Sequence, residues 1–418
     1  MRGWFPRALL LNFLLALTLH GLRPVVSYKA LALDAGPTGI GIIAACYGIL
    51  ALLIAIPAGR WVDRHGESPS LVVGSAGIAA VGILLVLANN LPLLAIGMLL
   101  LGAAQMVFAV GLQALIANGG SADGRDGRFG VQTVVASFGQ FVGPAASGFI
   151  VADAIGTASG ATAPGAVTVQ STDAVFWIAA VLGIVTCLVS LTLWRWPPPE
   201  HARMREGHAR PPTNESMRVA FGRVLRVPSM PHAMIASFAV LSSIDIIVAY
   251  LPVYGEANAI PVATVGILLA IRGAASMVSR AFMLPLRRLL GRRRLLVAST
   301  GVPALMLLLL PFSGSAVEPL VVVMILVGFG LGLGQPLTMS WVATRAPFDI
   351  RATAIGVRLS ANRLGQFAVP ATIGVVAGVA GLTAIFWSLA AMLAVAAVVI
   401  VQSPFDAVGV SDAIPAAE

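Results

Sequence analysis

The sequence predicts an all-α membrane protein whose twelve transmembrane helices form two pseudo-symmetric six-helix bundles, and three observations carry that expectation. Of 418 residues, 58% are hydrophobic and only 10% charged, where a soluble domain carries about 25%. Twelve apolar runs are each long enough to cross a hydrocarbon core of roughly 30 Å, which takes about 20 helical residues. They fall at 8–32, 39–58, 70–89, 92–116, 130–152, 173–195, 231–254, 262–283, 294–313, 319–343, 353–377 and 380–402. The third observation is a repeat: GVQTVVASFGQFVGPAASG, Gly130 to Gly148, returns 226 residues later as GVRLSANRLGQFAVPATIG, Gly356 to Gly374, with eight of nineteen positions identical. The implied organisation is a first bundle at 1–195, a Pro- and Arg-rich cytoplasmic linker at 196–230, a second bundle at 231–405 and a cytoplasmic tail at 406–418.

A net charge of +9 raises the question of acidic partners, and the positions of the charges answer it. Of 26 Lys and Arg, twenty lie at the amino terminus or in alternate loops, while the opposite loops contain none. By the positive-inside rule both termini are cytoplasmic, the excess charge is topological and nucleic acid is discarded as a partner. All seven tryptophans fall near span ends, as an interfacial aromatic belt requires. Arg2 and Arg7 before an apolar run resemble a signal peptide, but the counterpart of that run at 231–254 says that it is retained. Cys46 and Cys187 lie inside spans, so neither a disulfide framework nor a metal cluster is supported.

Taken in order, the first span carries Asn12, His20, Arg23 and Ser27 within about 80 degrees of arc on a helical wheel. Such a polar stripe is expected to face the protein interior, because a charge at mid-bilayer costs at least about 2.5 kcal/mol. The second span leads into Gly59-Arg-Trp-Val-Asp63-Arg64-His-Gly66, which reads as a helix-ending loop. Gln105 and Gln113 are the polar groups of the fourth span. In the fifth, Gly130, Gly139, Gly143 and Gly148 offer a smooth groove to a neighbouring helix, and Pro144 bends it by removing a backbone hydrogen bond. The linker has room for a surface helix around Met217 to Leu225. Asp245 in the seventh span is the only carboxylate well inside a span, and at an offset of 225 it corresponds to His20. The eighth span holds Arg272 near mid-depth and Arg280, the tenth Gln335 and Thr338, and the eleventh a row of Arg358, Asn362 and Gln366 with Arg363 to the side.

Two stretches give a resemblance over the whole chain. GRWVDRHG looks like the signature loop between the second and third helices of the major facilitator superfamily, with Leu286 to Arg294 as its degenerate second copy. The fifth-span spacing from Gly130 to Gly148 resembles that superfamily's antiporter motif, with Ser147 in place of a glycine. The drug and proton antiporters of the superfamily usually carry an arginine in the fourth helix; this chain has none there, which puts coupling by that arrangement in doubt.

The resemblance implies alternating access of two bundles about a central site lined by helices one, four, seven and ten. On this sequence those positions are His20, Arg23, Gln105, Gln113, Asp245, Gln335 and Thr338, with Arg272 and Asn362 from flanking helices. Asp63 is expected to latch the cytoplasmic side near Arg351 and Thr353. Arg23, Arg272 and Arg363 against Asp245 make a positive cavity, which favours an anionic or zwitterionic substrate unless Asp245 pairs with an arginine. Asp245 and His20 are the expected carriers of a coupling proton. The reading is thus proton-coupled export of a small organic molecule by a monomer in the bacterial inner membrane, its partners being substrate, protons and the lipid bilayer. Import or facilitated passage of an organic anion is the alternative, and a non-transporting sensor or accessory subunit a remote one. No phosphate loop, paired metal ligands or nucleophile elbow points to an enzyme, a cofactor or a metal.

Overall fold

The structure is a computed structural model that describes residues 3–119, 125–158, 167–195, 217–346 and 351–403. Among the described residues twelve helices are long and apolar enough to cross a membrane. In the first half these are α1 (Trp4–Ala32), α2 (Pro37–His65), α3 (Glu67–Leu87), α4 (Leu91–Asn118), α5 (Arg125–Ala158) and α6 (Val169–Arg195). The second half has α7 (Met230–Ala257), α8 (Val262–Ala281), α9 (Met283–Leu309), α10 (Val317–Arg345), α11 (Arg351–Ala380) and α12 (Leu382–Gln402). A separate short helix, Met217–Arg226, occupies the end of the linker and buries Val224 beside Met230, Ala354 and Val357. The tail at 406–418 and most of the linker lie outside the described residues.

Local chemistry sets several boundaries. Asn90 caps α4 by accepting from the Leu93 amide at 2.9 Å, with Pro92 in the first turn. Gly66 breaks the chain between α2 and α3 at φ 88, and Gly291, at the same offset of 225, kinks α9 at φ 74; glycine is the residue that takes such angles freely. Here the structure corrects the sequence reading, since Gly59 to His65 is not loop but the last turns of α2. Nothing in that segment breaks a helix, as one interior glycine costs only about 1 kcal/mol relative to alanine.

An even number of crossings puts both described ends on one side of the molecule, the near side; the other is the far side. The halves repeat each other's packing: α1 on α5, α2 on α4 and α3 on α6 are matched by α7 on α11, α8 on α10 and α9 on α12. The halves meet along α2 with α11, α5 with α8, and α1 with α7.

The two outer seams are built from the repeated stretch, and they match position by position. A Cβ on Gly41 would stand 2.5 Å from the Pro370 carbonyl oxygen and 2.7 Å from the Gly374 Cα; one on Gly266 would stand 2.6 Å from the Pro144 oxygen and 3.0 Å from the Gly148 Cα. Half-way down, Gly48 lies against Gln366 and Phe367 as Gly273 lies against Gln140 and Phe141. Gly139 and Gly143 pack instead within their own half, on Ala16–Leu17 and on Gly21 of α1. Such approaches leave no room for a side chain, which is why small residues collect at helix seams in lipid. Gly130 departs from the expected groove: it faces open space, as do its counterpart Gly356 and Gly59. All three sit toward the near side, whereas Gly41 and Gly266, which meet the other half's backbone, sit toward the far side.

Candidate functional site

Where α1 and α7 cross between the halves, Arg23 Nη1 donates to Asp245 Oδ1 at 2.6 Å, with side chains 10% and 4% exposed. Gln366 of α11 donates to the other carboxylate oxygen at 2.8 Å, and Arg363 donates to Gln366 Oε1 at 2.7 Å. The Arg23 guanidinium also lies 4.5 Å from the ring centre of Tyr47 on α2, an electrostatically favourable cation–π arrangement. Asp245 thus has both oxygens engaged, as a buried carboxylate requires. The chain of contacts ties α1 and α2 of one half to α7 and α11 of the other. Above it toward the far side is a cavity of about 10 Å³ lined by Val26, Ser27, Ile43, Met98 and Val248, room for one water at most.

A second cluster consumes groups that the sequence places at the central face. Arg358 Nη2 donates to Gln335 Oε1 at 2.7 Å, to the Gln335 backbone oxygen at 3.1 Å and to Thr338 Oγ1 at 3.1 Å. Ser237 donates to Asn362 Oδ1 at 2.9 Å, and Gln335 Nε2 donates to the Ser237 backbone oxygen. Gln335, Thr338 and Asn362 are therefore bound up inside the second half around Arg358. That was concealed in the sequence because their partner sits on a neighbouring helix.

On the other seam the cations have no carboxylate of their own. Arg280 donates to Ser137 Oγ at 2.5 Å and to the Gly332 oxygen at 3.3 Å. Arg272 is buried, 2% exposed, and its Nε and Nη2 have no hydrogen-bond partner among the described residues. His20 Nδ1 is buried without a partner too, and no bond joins His20 to Asp245 among the described residues. His20 shares an electrostatic neighbourhood with Arg23, Arg272 and Arg280. In α4, Gln105 is half-buried with Oε1 unpartnered, while Gln113 is exposed.

Of the α2 motif, Gly59 and Arg64 lie in the last turns of the helix, Arg64 exposed, and Gly66 is the left-handed break. The Asp63 side chain, and those of Arg351 and Thr353, lie outside the described residues. Pro144 sits inside α5 and lends its carbonyl to the contact with Gly266.

Sequence reasoning passed over a pair of far-side staples. Lys29 is fully buried; its Nζ donates to Leu85 O at 2.7 Å, Val86 O at 3.1 Å and Asp173 Oδ1 at 2.9 Å, tying α1 to the end of α3 and to α6. At the offset of 225, Tyr254 donates to Leu310 O at 3.3 Å and Gly314 O at 3.0 Å, tying α7 to the end of α9. A cation at a helix C-terminus satisfies carbonyls that the helix leaves open. The signal available was the lone lysine at a position that the repeat gives to a tyrosine.

The model of the Major Facilitator Superfamily matches residues 8–282 and 233–413. Multidrug resistance protein 1 of Bacillus subtilis is 29% identical over 113 residues, a match that spans 27% of this chain and 29% of that relative's length. Among solved structures, a variant of the nucleoside transporter NupG superposes with a TM-score of 0.76 at 16% identity, covering 95% of this chain and 98% of that one. A POT family transporter in complex with 5-aminolevulinic acid gives 0.74 at 15% identity over 95% of each chain. A D-xylose-proton symporter gives 0.73 at 15% identity over 96% and 98%. At such identities the likeness is one of fold.

Proposed function

The chain belongs to the major facilitator superfamily, and from that premise we propose that it exports a small organic molecule in exchange for protons, by alternating access of its two halves. The observation that carries the reading is the Arg23–Asp245 pair, the buried ion pair that joins the halves at mid-depth. A buried pair holds its charges together only while both are charged. Protonation of Asp245 removes the attraction, frees Arg23 and loosens α1 from α7, so proton binding and movement of the halves share one group. His20, beside Arg23 on α1, is the second carrier on this reading. Asp63, at the near-side end of α2, acts as the latch once the near side closes.

Orientation follows from charge. On this reading the near side, which carries the arginine-rich loops, faces the cytoplasm of a bacterial inner membrane, and the transporter works as a monomer. The multidrug relative favours export. Import or facilitated passage of an organic anion is the second reading, and the unpartnered Arg272 favours it.

The test uses protein reconstituted in vesicles of known orientation with an internal pH dye and pools of anions, zwitterions and cations. A substrate-dependent collapse of an imposed pH gradient, lost in Asp245→Asn, supports antiport. Flux of a labelled anion down its own gradient without proton movement overturns the coupling and leaves the facilitator.

A further inference from the structure

We infer that Arg272, rather than Arg23, is the seat of the transported molecule, and that the molecule carries a carboxylate there. The inference rests on the transport reading and assigns its substrate class. Arg23 already has a carboxylate partner: its Nη1 is committed to Asp245, and its guanidinium lies on the face of Tyr47. Asp245 is committed in turn, with one oxygen on Arg23 and the other on Gln366. Arg280 is anchored through Nη1 to Ser137 and through Nε to the Gly332 carbonyl. Arg272 alone of these three arginines is buried with two nitrogen atoms left without acceptors.

Its position is fixed by backbone contacts that leave it no easy escape. A Cβ on Gly328 of α10 would meet the Arg272 backbone, and Gly273 beside it lies on Gln140 and Phe141 of α5. One turn along α5, Gly143 lies on Gly21 and His20 of α1. Arg272 and His20 therefore flank the same turn of α5, where His20 Nδ1 is also unpartnered. Within this region the charges of Arg23, Arg272 and Arg280 exceed the single charge of Asp245.

An uncompensated guanidinium inside a membrane protein is costly, and such groups persist where a ligand supplies the missing charge. The planar fork of arginine matches the two oxygens of a carboxylate, which makes that oxyanion the best-fitting partner. The pseudo-symmetry isolates the feature: Tyr47 is the counterpart of Arg272 at the offset of 225, and it serves Arg23 instead of a ligand.

The test measures thermal unfolding of the purified full-length protein in detergent with benzoate, succinate and lactate, each against its amide and a matched amine at equal ionic strength. At least one carboxylate is expected to raise the melting temperature by several degrees where its amide does not. Arg272→Gln should abolish that shift, Arg272→Lys should keep part of it, and Arg280→Lys should keep most of it. Equal responses to acids and amides, or a carboxylate response that survives in Arg272→Gln, overturn the seat. If Arg272→Gln does not fold, the acid-against-amide difference in the wild type and its weakening in Arg272→Lys decide the matter. Vesicle flux separates this from the transport reading. A carboxylate that binds through Arg272 yet never crosses the membrane sinks transport and leaves the seat, whereas gradient-driven movement of amines unaffected in Arg272→Gln sinks the seat and leaves transport.

Discussion

The seam of α2 with α11 and the seam of α5 with α8 share a pattern of backbone approach but differ in their charges. Gly41 and Gly48 meet α11 where Gly266 and Gly273 meet α5, down to the same prolyl carbonyl in each motif copy. The charges beside them do not match: one seam closes a network of Arg23, Asp245, Gln366 and Arg363, the other leaves Arg272 and His20 with unpartnered nitrogens. The comparison teaches that the repeat preserves what holds the halves together, which is close backbone packing. It releases the side chains that line the interior to diverge, because they do not bear on that packing.

The largest effect should come from filling a seam. Gly41→Val and Gly266→Val each place a branched side chain where even a Cβ would overlap backbone, so either should part the halves on the far side. With Cys46 and Cys187 replaced and Ser27→Cys as reporter, labelling by an impermeant maleimide from the far side should rise at least tenfold in both variants. A rise in only one would break the equivalence of the seams.

Next comes the ion pair. Asp245→Ala leaves Arg23 buried and unpaired, which should cost about 3–5 kcal/mol in detergent unfolding, while Arg23→Met with Asp245→Leu should restore most of it. If Asp245→Ala costs no more than Arg272→Gln, the two seams do not differ in how they hold charge.

The staples give the smaller pair. Lys29→Met removes a charged donor from two carbonyls and from Asp173 and should cost about 1.5–3 kcal/mol. Tyr254→Phe, the neutral counterpart, should cost about 1 kcal/mol. Equal losses would show that charge adds nothing to the first staple.

Much of this was legible in advance. Hydropathy sets the twelve spans, since a helix in lipid must satisfy its own backbone and cover it with apolar side chains. The helices overrun the apolar runs at several ends, as α2 does through Gly59 to His65, because charged residues continue a helix into the headgroup region without an apolar signal. The repeated stretch and its offset announced the pseudo-symmetry, and Asp245, Arg23 and Arg272 stood out as charges in apolar surroundings. Gln366 was visible as a repeated residue and as the end of a polar row with Arg358 and Asn362, but Tyr47 and Lys29 were not visible as site residues, since neither a tyrosine nor a lone lysine in a span announces its partner.

What the sequence determines by itself is therefore the local physics: which segments span, where glycine permits close approach, and which half-chain repeats the other. These depend on neighbours along one helix. Tertiary structure alone decides that Arg23 rather than Arg272 takes Asp245, that Gln335, Thr338 and Asn362 turn inward around Arg358's cluster, and that Gly130 faces open space while Gly148 does not. Those outcomes depend on the rotation and tilt of separate helices against one another, from 20 positions apart for Thr338 and Arg358 to 222 for Arg23 and Asp245.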